Sequence, residues 1–224
     1  MSIIGLKAGT KKRSGKGREK LMNKQNTTVM KLAETALLAA LCYVSFTFLQ
    51  IKIPVPGGDA TSLHIGNTFC VLGALLLGGW YGGLAGSIGM TIADLMDPVY
   101  ITGAPKTFVL KLCIGLITGL VAHKIAKINE TNDKKYVFKW SLIASIAGLA
   151  FNVIADPIVG YFYKQYILGQ PQEVASILAK LSAGATFVNA IVSTILVVII
   201  YNAVRPALIK ANLIHVYVTA ANAK

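Results

Sequence analysis

The chain has 224 residues, of which 54% are hydrophobic and only 14% are charged, and its mean hydropathy is +0.61. A soluble domain of this size carries nearer a quarter charged residues, so the composition excludes an ordinary soluble fold and indicates a polytopic membrane protein. The 22 Lys and Arg outnumber the 9 Asp and Glu, which gives a net charge of +13. These basic residues concentrate at loops and ends, without a stripe of interleaved aromatic residues, so the pattern argues against nucleic-acid binding.

The first segment, residues 1–28, is basic and polar, and it predicts a disordered cytoplasmic tail, with an expression remnant as the alternative for part of it. The next part, 29–205, is expected to form an all-α membrane domain with six transmembrane helices, and 206–224 a cytoplasmic tail. The six apolar segments that predict these helices are at roughly 29–50, 63–79, 81–97, 106–125, 138–163 and 176–204.

The second and third segments are short and are separated only by Gly78, Gly79 and Trp80, which predicts a tight helical hairpin. Glycines are frequent in the third segment, and small residues allow transmembrane helices to approach closely. Most Lys and Arg lie in the N-terminal segment, in the loop between the fourth and fifth helices, and at the C-terminus. The positive-inside rule therefore predicts that both termini are cytoplasmic.

Polar and ionisable residues also occur among the apolar segments, mainly near their predicted outer ends. Such residues are costly in a bilayer and usually have a function, so they predict an outward-facing polar pocket for a small hydrophilic ligand. A structural network of ion pairs that holds the helices in register is the alternative. The candidate substrate-binding residues are Asp59, Thr61, His64, Asp94, Asp97, Lys106, Lys111, Asn152, Asp156 and Asn189.

Enzymatic chemistry has little support, because the sequence contains no HExxH or GxSxG motif and no nucleophile with a matching base. The sequence also lacks a Walker A motif, a metal-ligand spacing and a cofactor motif, so no cofactor is expected and any ATP hydrolysis must occur in a partner. No inverted repeat is evident, and the chain is small for an autonomous carrier. In the first helix, Ala36 and Ala40 form a small-xxx-small pattern, which is typical of close helix–helix contact.

Four stretches carry a resemblance to a known family: HIGNTF at 64–69, the glycine-rich run at 73–89, Ala-Asp-Leu at 93–95 and APKTFVLK at 104–111. They resemble the substrate-binding S components of energy-coupling factor (ECF) vitamin transporters, in the riboflavin-type branch that includes pyridoxine and hydroxymethylpyrimidine S components. The resemblance covers about residues 30–205. It implies a subunit in a bacterial cell membrane that binds a vitamin at the outer face with high affinity and delivers it inward.

The resemblance also implies partners, namely a transmembrane coupling (T) subunit, docked at Ala36 and Ala40, and two ATPase (A) subunits. The loop after the first helix would act as a lid, and the subunit would topple in the membrane. Because toppling moves charges past lipid, we expect the acids that end the third helix to pair with the bases that open the fourth. These four residues are Asp94, Asp97, Lys106 and Lys111.

The number of charged groups favours a small hydroxylated heterocycle of the pyridoxine or hydroxymethylpyrimidine type, because carboxylates and ammonium groups can bind hydroxyl and ring-nitrogen atoms. Riboflavin is the alternative substrate within the same class, although its tricyclic ring would suit a larger and more apolar pocket. Two alternatives belong to other classes: a structural or assembly membrane protein, and an autonomous facilitator of a small solute.

Overall fold

The computed structural model describes residues 28–55 and 59–211. The predicted tail at 1–28 therefore lies outside the described residues except for Thr28. Of the predicted tail at 206–224, residues 212–224 lie outside them, and residues 206–210 belong to the last helix. The described part forms six α-helices and one β-hairpin, in the order α1 (Thr28–Phe48), β1 (Gln50–Val55), β2 (Asp59–His64), α2 (Gly66–Leu77), α3 (Gly79–Met96), α4 (Ala104–Gly119), α5 (Lys134–Phe162) and α6 (Gln172–Lys210). A first compact unit ends at Glu34, within α1, and a second begins at Thr35. The contacts described below all lie within the second unit.

Four helical stretches are long and apolar enough to cross a membrane, namely α1, α4 with its flanking turns, α5 and α6. In contrast, α2 has only 12 residues, and at 1.5 Å per residue it extends about 18 Å, less than the ~30 Å of a hydrocarbon core. The predicted helix order is thus present, with four candidate spans among the described residues. That α2 and α3 also cross, and that both termini are cytoplasmic, remain predictions.

A single glycine joins α2 to α3, which confirms the predicted tight hairpin. Gly78 has φ 98° and ψ 161°, a backbone conformation that residues with a Cβ rarely adopt. Its N–H donates to the carbonyl of Ala74 at 3.2 Å, and its own carbonyl accepts from the N–H of Gly82 at 3.0 Å. The two helices are therefore linked with no intervening loop.

Glycines also let α3 and α4 pack with their backbones in contact. A Cβ built on Gly115 would collide with the backbone of Gly83, and a Cβ on Gly79 would lie 2.8 Å from the carbonyl oxygen of Gly115. This close approach joins the N-terminal part of α3 to the C-terminal part of α4, away from the helix ends that carry Asp94 and Lys106.

We expect Gly115→Val to lower the thermal unfolding midpoint of the detergent-solubilised protein strongly, because overpacking a tight contact costs ~1–3 kcal/mol or more. The matched control is Gly184→Val in α6, where a Cβ would meet no atom within 4 Å. If both variants unfold at the same temperature, the close α3–α4 contact does not contribute to stability.

The segment after α1 forms an antiparallel β-hairpin, which corrects the all-α prediction at this point. Its register runs from Gln50 opposite His64 to Val55 opposite Asp59. The alternation of Ile51, Ile53 and Val55 with polar or Pro residues is the sequence signal for this strand. Because β2 packs against α6, the hairpin lies over the ends of the helices that carry the polar residues.

Candidate substrate-binding site

A cavity of about 130 Å³ lies between the hairpin and the ends of α3, α4, α5 and α6. It is lined by side chains from each of these elements, and the structure therefore brings together residues that are far apart in sequence. Seven of the ten predicted site residues line it: Thr61, His64, Asp94, Lys106, Lys111, Asp156 and Asn189.

Of the other three predicted residues, Asp97 and Asn152 do not line the cavity. Asp97 is the C-cap of α3 and forms an ion pair with Lys52 of β1. Asn152 lies one turn before Asp156 in α5, is 1% exposed, and has a carbonyl oxygen with no partner among the described residues. The side chain of Asp59 is outside the described part of the chain.

Asp156 connects three helices through its carboxylate. Its Oδ1 accepts from the Lys106 Nζ of α4 at 2.9 Å, and its Oδ2 accepts a short hydrogen bond from the Ser182 hydroxyl of α6. The side chains of Lys106 and Asp156 are only 15% and 12% exposed. The expected pairing of Lys106 with an acid of α3 is therefore wrong, since its partner comes from α5.

The Lys52–Asp97 ion pair links the hairpin to the end of α3. Lys52 also lies over the ring of Tyr100, with its Nζ 5.4 Å from the ring centroid. Burial raises the pKa of Asp97, but the hydrogen bonds from Lys52 and from the backbone N–H of Val99 lower it further, so the pKa lies below its usual range. Asp97 is therefore ionised at neutral pH and contributes to holding the hairpin in place.

Asn189 anchors β2 to α6. Its Oδ1 accepts from the backbone N–H of His64 at 3.0 Å, and its Nδ2 donates to the carbonyl of Ser62 at 2.9 Å. The side chain is 3% exposed, so these two buried bonds position the strand that closes one side of the cavity. Asn189 lines the cavity, but both polar atoms of its amide are used to hold β2 in position.

His64 presents a neutral imidazole to the cavity. Its Nδ1 accepts from the backbone N–H of Gly66 at 3.2 Å, which leaves Nε2 as the protonated nitrogen of the neutral ring. Burial lowers the pKa of His64 to about 3, and the positive charge of Lys111 adds to this effect. The ring also packs edge-on against Phe46, with centroids 4.8 Å apart.

Several lining residues were not among the predicted site residues. Ser182 and Thr186 precede Asn189 in α6 by seven and three residues, which places all three on one helix face and is a signal that the sequence offered. Tyr163 and Lys164 lie on a π-helical turn, Tyr163–Ile167, that continues α5. Such turns occur often at functional sites, but sequence periodicity does not reveal them.

The two alanines predicted to contact a coupling subunit lie on the exposed face of α1. Ala36 and Ala40 are both exposed, whereas Leu38, Ala39 and Cys42 are buried on the other side of the helix. The alanine pair is therefore not used for packing within the second unit of this chain. Its role in partner binding stays a prediction.

The family model described as "ECF-type riboflavin transporter, S component" matches residues 26–206. Among solved structures, the chain is similar to ThiT from Listeria monocytogenes, with a TM-score of 0.57 and 18% sequence identity. This similarity covers 81% of the present chain and 97% of the ThiT chain, and at this identity it concerns the fold alone. None of the curated protein sequences gives a significant match.

The family match covers most of the chain, including every residue that lines the cavity. S components are substrate-binding subunits that associate with T and A subunits for vitamin uptake, and they are not enzymes. The apolar helices agree with a membrane location. The chain therefore belongs to the S components of ECF-type riboflavin transporters, a family of membrane-embedded vitamin-binding subunits.

Proposed function

We propose that this S component binds a small, uncharged, hydroxylated heterocycle of the pyridoxine or hydroxymethylpyrimidine type in the cavity. The observation that carries the proposal is the charge balance of the lining residues. Two acids, Asp94 and Asp156, and two bases, Lys106 and Lys111, line the cavity together. Because these four charges sum to zero, a cationic ligand adds a positive charge that they do not compensate, whereas an uncharged ligand leaves their balance unchanged.

The remaining lining groups agree with a neutral, polar ligand. A fifth charged residue, Lys164, adds positive charge, so it disfavours a cationic ligand further. The hydroxyls of Thr61, Ser182 and Thr186 provide groups that both donate and accept hydrogen bonds. A heterocycle with hydroxyl and ring-nitrogen atoms matches this lining better than thiamine, which carries a fixed positive charge on its thiazolium ring.

Riboflavin is the second candidate, since the matching family is described by that vitamin. Its tricyclic ring requires an extended apolar surface. The aromatic residues that line the cavity, Phe46, Tyr100 and Tyr163, are accompanied by many charged and hydroxylated side chains. The polar character of the lining therefore favours the smaller heterocycles.

The complete transporter is proposed to contain one T subunit, which contacts the exposed alanine pair of α1, and two A subunits that hydrolyse ATP. The cavity is proposed to face the outside of a bacterial cell, with both termini in the cytoplasm. Membership of the S-component family argues against the structural protein and the autonomous facilitator considered as alternatives.

Binding titrations of the purified protein test the proposal. We expect tight, one-to-one binding of pyridoxine or of 4-amino-5-hydroxymethyl-2-methylpyrimidine, and no tight binding of thiamine. Mass spectrometry of the protein as purified is an independent check, because a high-affinity ligand often stays bound through purification. Binding of neither heterocycle would refute the proposed substrate class, tight riboflavin binding would support the second candidate, and tight thiamine binding would contradict the charge argument.

A further inference from the structure

Most polar side chains around the cavity already have partners within the protein. The Asp156 carboxylate accepts from Lys106 and Ser182, and both polar atoms of the Asn189 amide bind the backbone of β2. These groups can contribute little additional binding to a ligand without giving up an existing contact. Two charged lining residues differ from them in this respect.

The first is Lys111 of α4, which is 7% exposed and lines the cavity. Within residues 28–55 and 59–211, its ammonium has neither an ion-pair partner nor a hydrogen-bond acceptor in contact. Asp156 and Asp94 are near enough to interact with it electrostatically, but neither forms a contact pair with it. A buried ammonium with three unused donors is costly unless another molecule provides acceptors.

The second is Asp94 of α3, which is 3% exposed and lines the same cavity. The hydroxyl of Thr107 lies beside its carboxylate, and no lysine of the described ranges contacts it. An ionised carboxylate accepts about four hydrogen bonds, so Asp94 retains unused acceptor positions. Lys111 and Asp94 together offer a donor and an acceptor, from adjacent helices, to one bound molecule.

We propose that Lys111 and Asp94 bind the polar edge of the ligand, Lys111 at a hydrogen-bond acceptor and Asp94 at a hydrogen-bond donor. This inference rests on the proposed function and narrows the substrate to an uncharged heterocycle that carries both groups. A 4-aminopyrimidine fits, because its amino group donates and the neighbouring ring nitrogen accepts. A 3-hydroxypyridine fits as its zwitterion, which has no net charge: the deprotonated oxygen on C3 accepts and the pyridinium N–H donates.

The test uses Lys111→Met and Asp94→Asn in the full chain, with pyridoxine and 4-amino-5-hydroxymethyl-2-methylpyrimidine as probes. We expect each variant to weaken binding by about 10- to 100-fold, as for the loss of a hydrogen bond to a charged group. The thermal midpoint without ligand is expected to stay constant or to rise, because each substitution removes a buried charge that has no ion-pair partner in contact within the described ranges. A purely structural residue would instead lower both quantities.

A matched variant and a matched ligand sharpen the test. Lys139→Met removes an exposed lysine of α5 that does not line the cavity, and it is expected to change neither quantity. If pyridoxine binds, 3-deoxypyridoxine lacks the acceptor assigned to Lys111 and, because it cannot form the zwitterion, also the donor assigned to Asp94, so neither Lys111→Met nor Asp94→Asn should lower its affinity further.

The outcomes separate the two proposals. If the unmutated protein binds neither probe, the proposed function is wrong and this inference is wrong with it. If it binds a probe and both variants keep that affinity, only the assignment of Lys111 and Asp94 is overturned. A parallel loss of affinity and thermal midpoint also overturns it, because that result indicates a structural role.

Discussion

Asp156→Ala is expected to lower the free energy of unfolding by about 3 kcal/mol, the cost of breaking a buried ion pair on one side. The substitution leaves the Lys106 ammonium without its partner at 2.9 Å and the Ser182 hydroxyl without its acceptor. It also changes the charge of the four central lining residues from zero to +1. We expect a value at the lower end of the ~3–5 kcal/mol range for breaking buried ion pairs, because the Lys106 side chain is 15% exposed and water can partly solvate its charge.

Unfolding of the protein in mixed detergent micelles, followed by denaturant titration, measures this change. The control is the double variant Lys106→Leu with Asp156→Leu, which replaces the whole pair by apolar side chains and is expected to recover most of the stability. Asp156→Asn keeps an acceptor for Ser182 and is expected to be intermediate. An unchanged unfolding free energy for Asp156→Ala would show that the pair does not hold α4, α5 and α6 together.

The helices could be predicted from the sequence because apolar segments of membrane-spanning length are a strong and local signal. The turn at Gly78 was predictable for the same reason, since two glycines and a tryptophan interrupt an apolar run. The hairpin was missed because its alternating pattern in 50–55 is short and contains Pro54. Short strands of this kind depend on a partner strand, and the partner is not evident from local composition.

The set of residues near the cavity was also largely predictable, because polar residues in apolar helices cluster for physical reasons. Which of these residues form ion pairs with one another could not be predicted from the sequence. Lys106 pairs with Asp156, which is 50 residues away, and Asp97 pairs with Lys52 rather than with a base of α4. Such choices depend on how far each helix is rotated and displaced along its neighbour, which no spacing in the sequence reports.

Asn189 shows the same limit for a single residue. In the sequence it is a polar residue in an apolar helix, which indicates ligand binding. In the structure its amide is used by the backbone of β2, with His64 as a partner 125 residues away. The distinction between a residue that binds ligand and one that positions a strand therefore requires the tertiary structure.

Ala36→Trp and Ala40→Trp are expected to reduce vitamin uptake by the complete transporter about 10- to 100-fold while leaving vitamin binding by the isolated subunit unchanged. Both alanines are exposed on α1, and small residues at such positions allow two helix backbones to approach closely. An indole ring separates the helices, and overpacking of this kind costs ~1–3 kcal/mol. The cavity is not affected, because neither alanine lines it.

Uptake in cells that produce the T and A subunits, together with binding titrations of the purified variants, measures the two effects separately. Ile199→Trp is the matched control, since Ile199 is an exposed apolar residue of α6 and receives the same ring. If the alanine face contacts only lipid, Trp is tolerated there as it is at Ile199, because lipid chains adapt to a protruding side chain and a helix surface does not. Normal uptake by both alanine variants would therefore refute the proposal that the T subunit contacts α1 at these alanines.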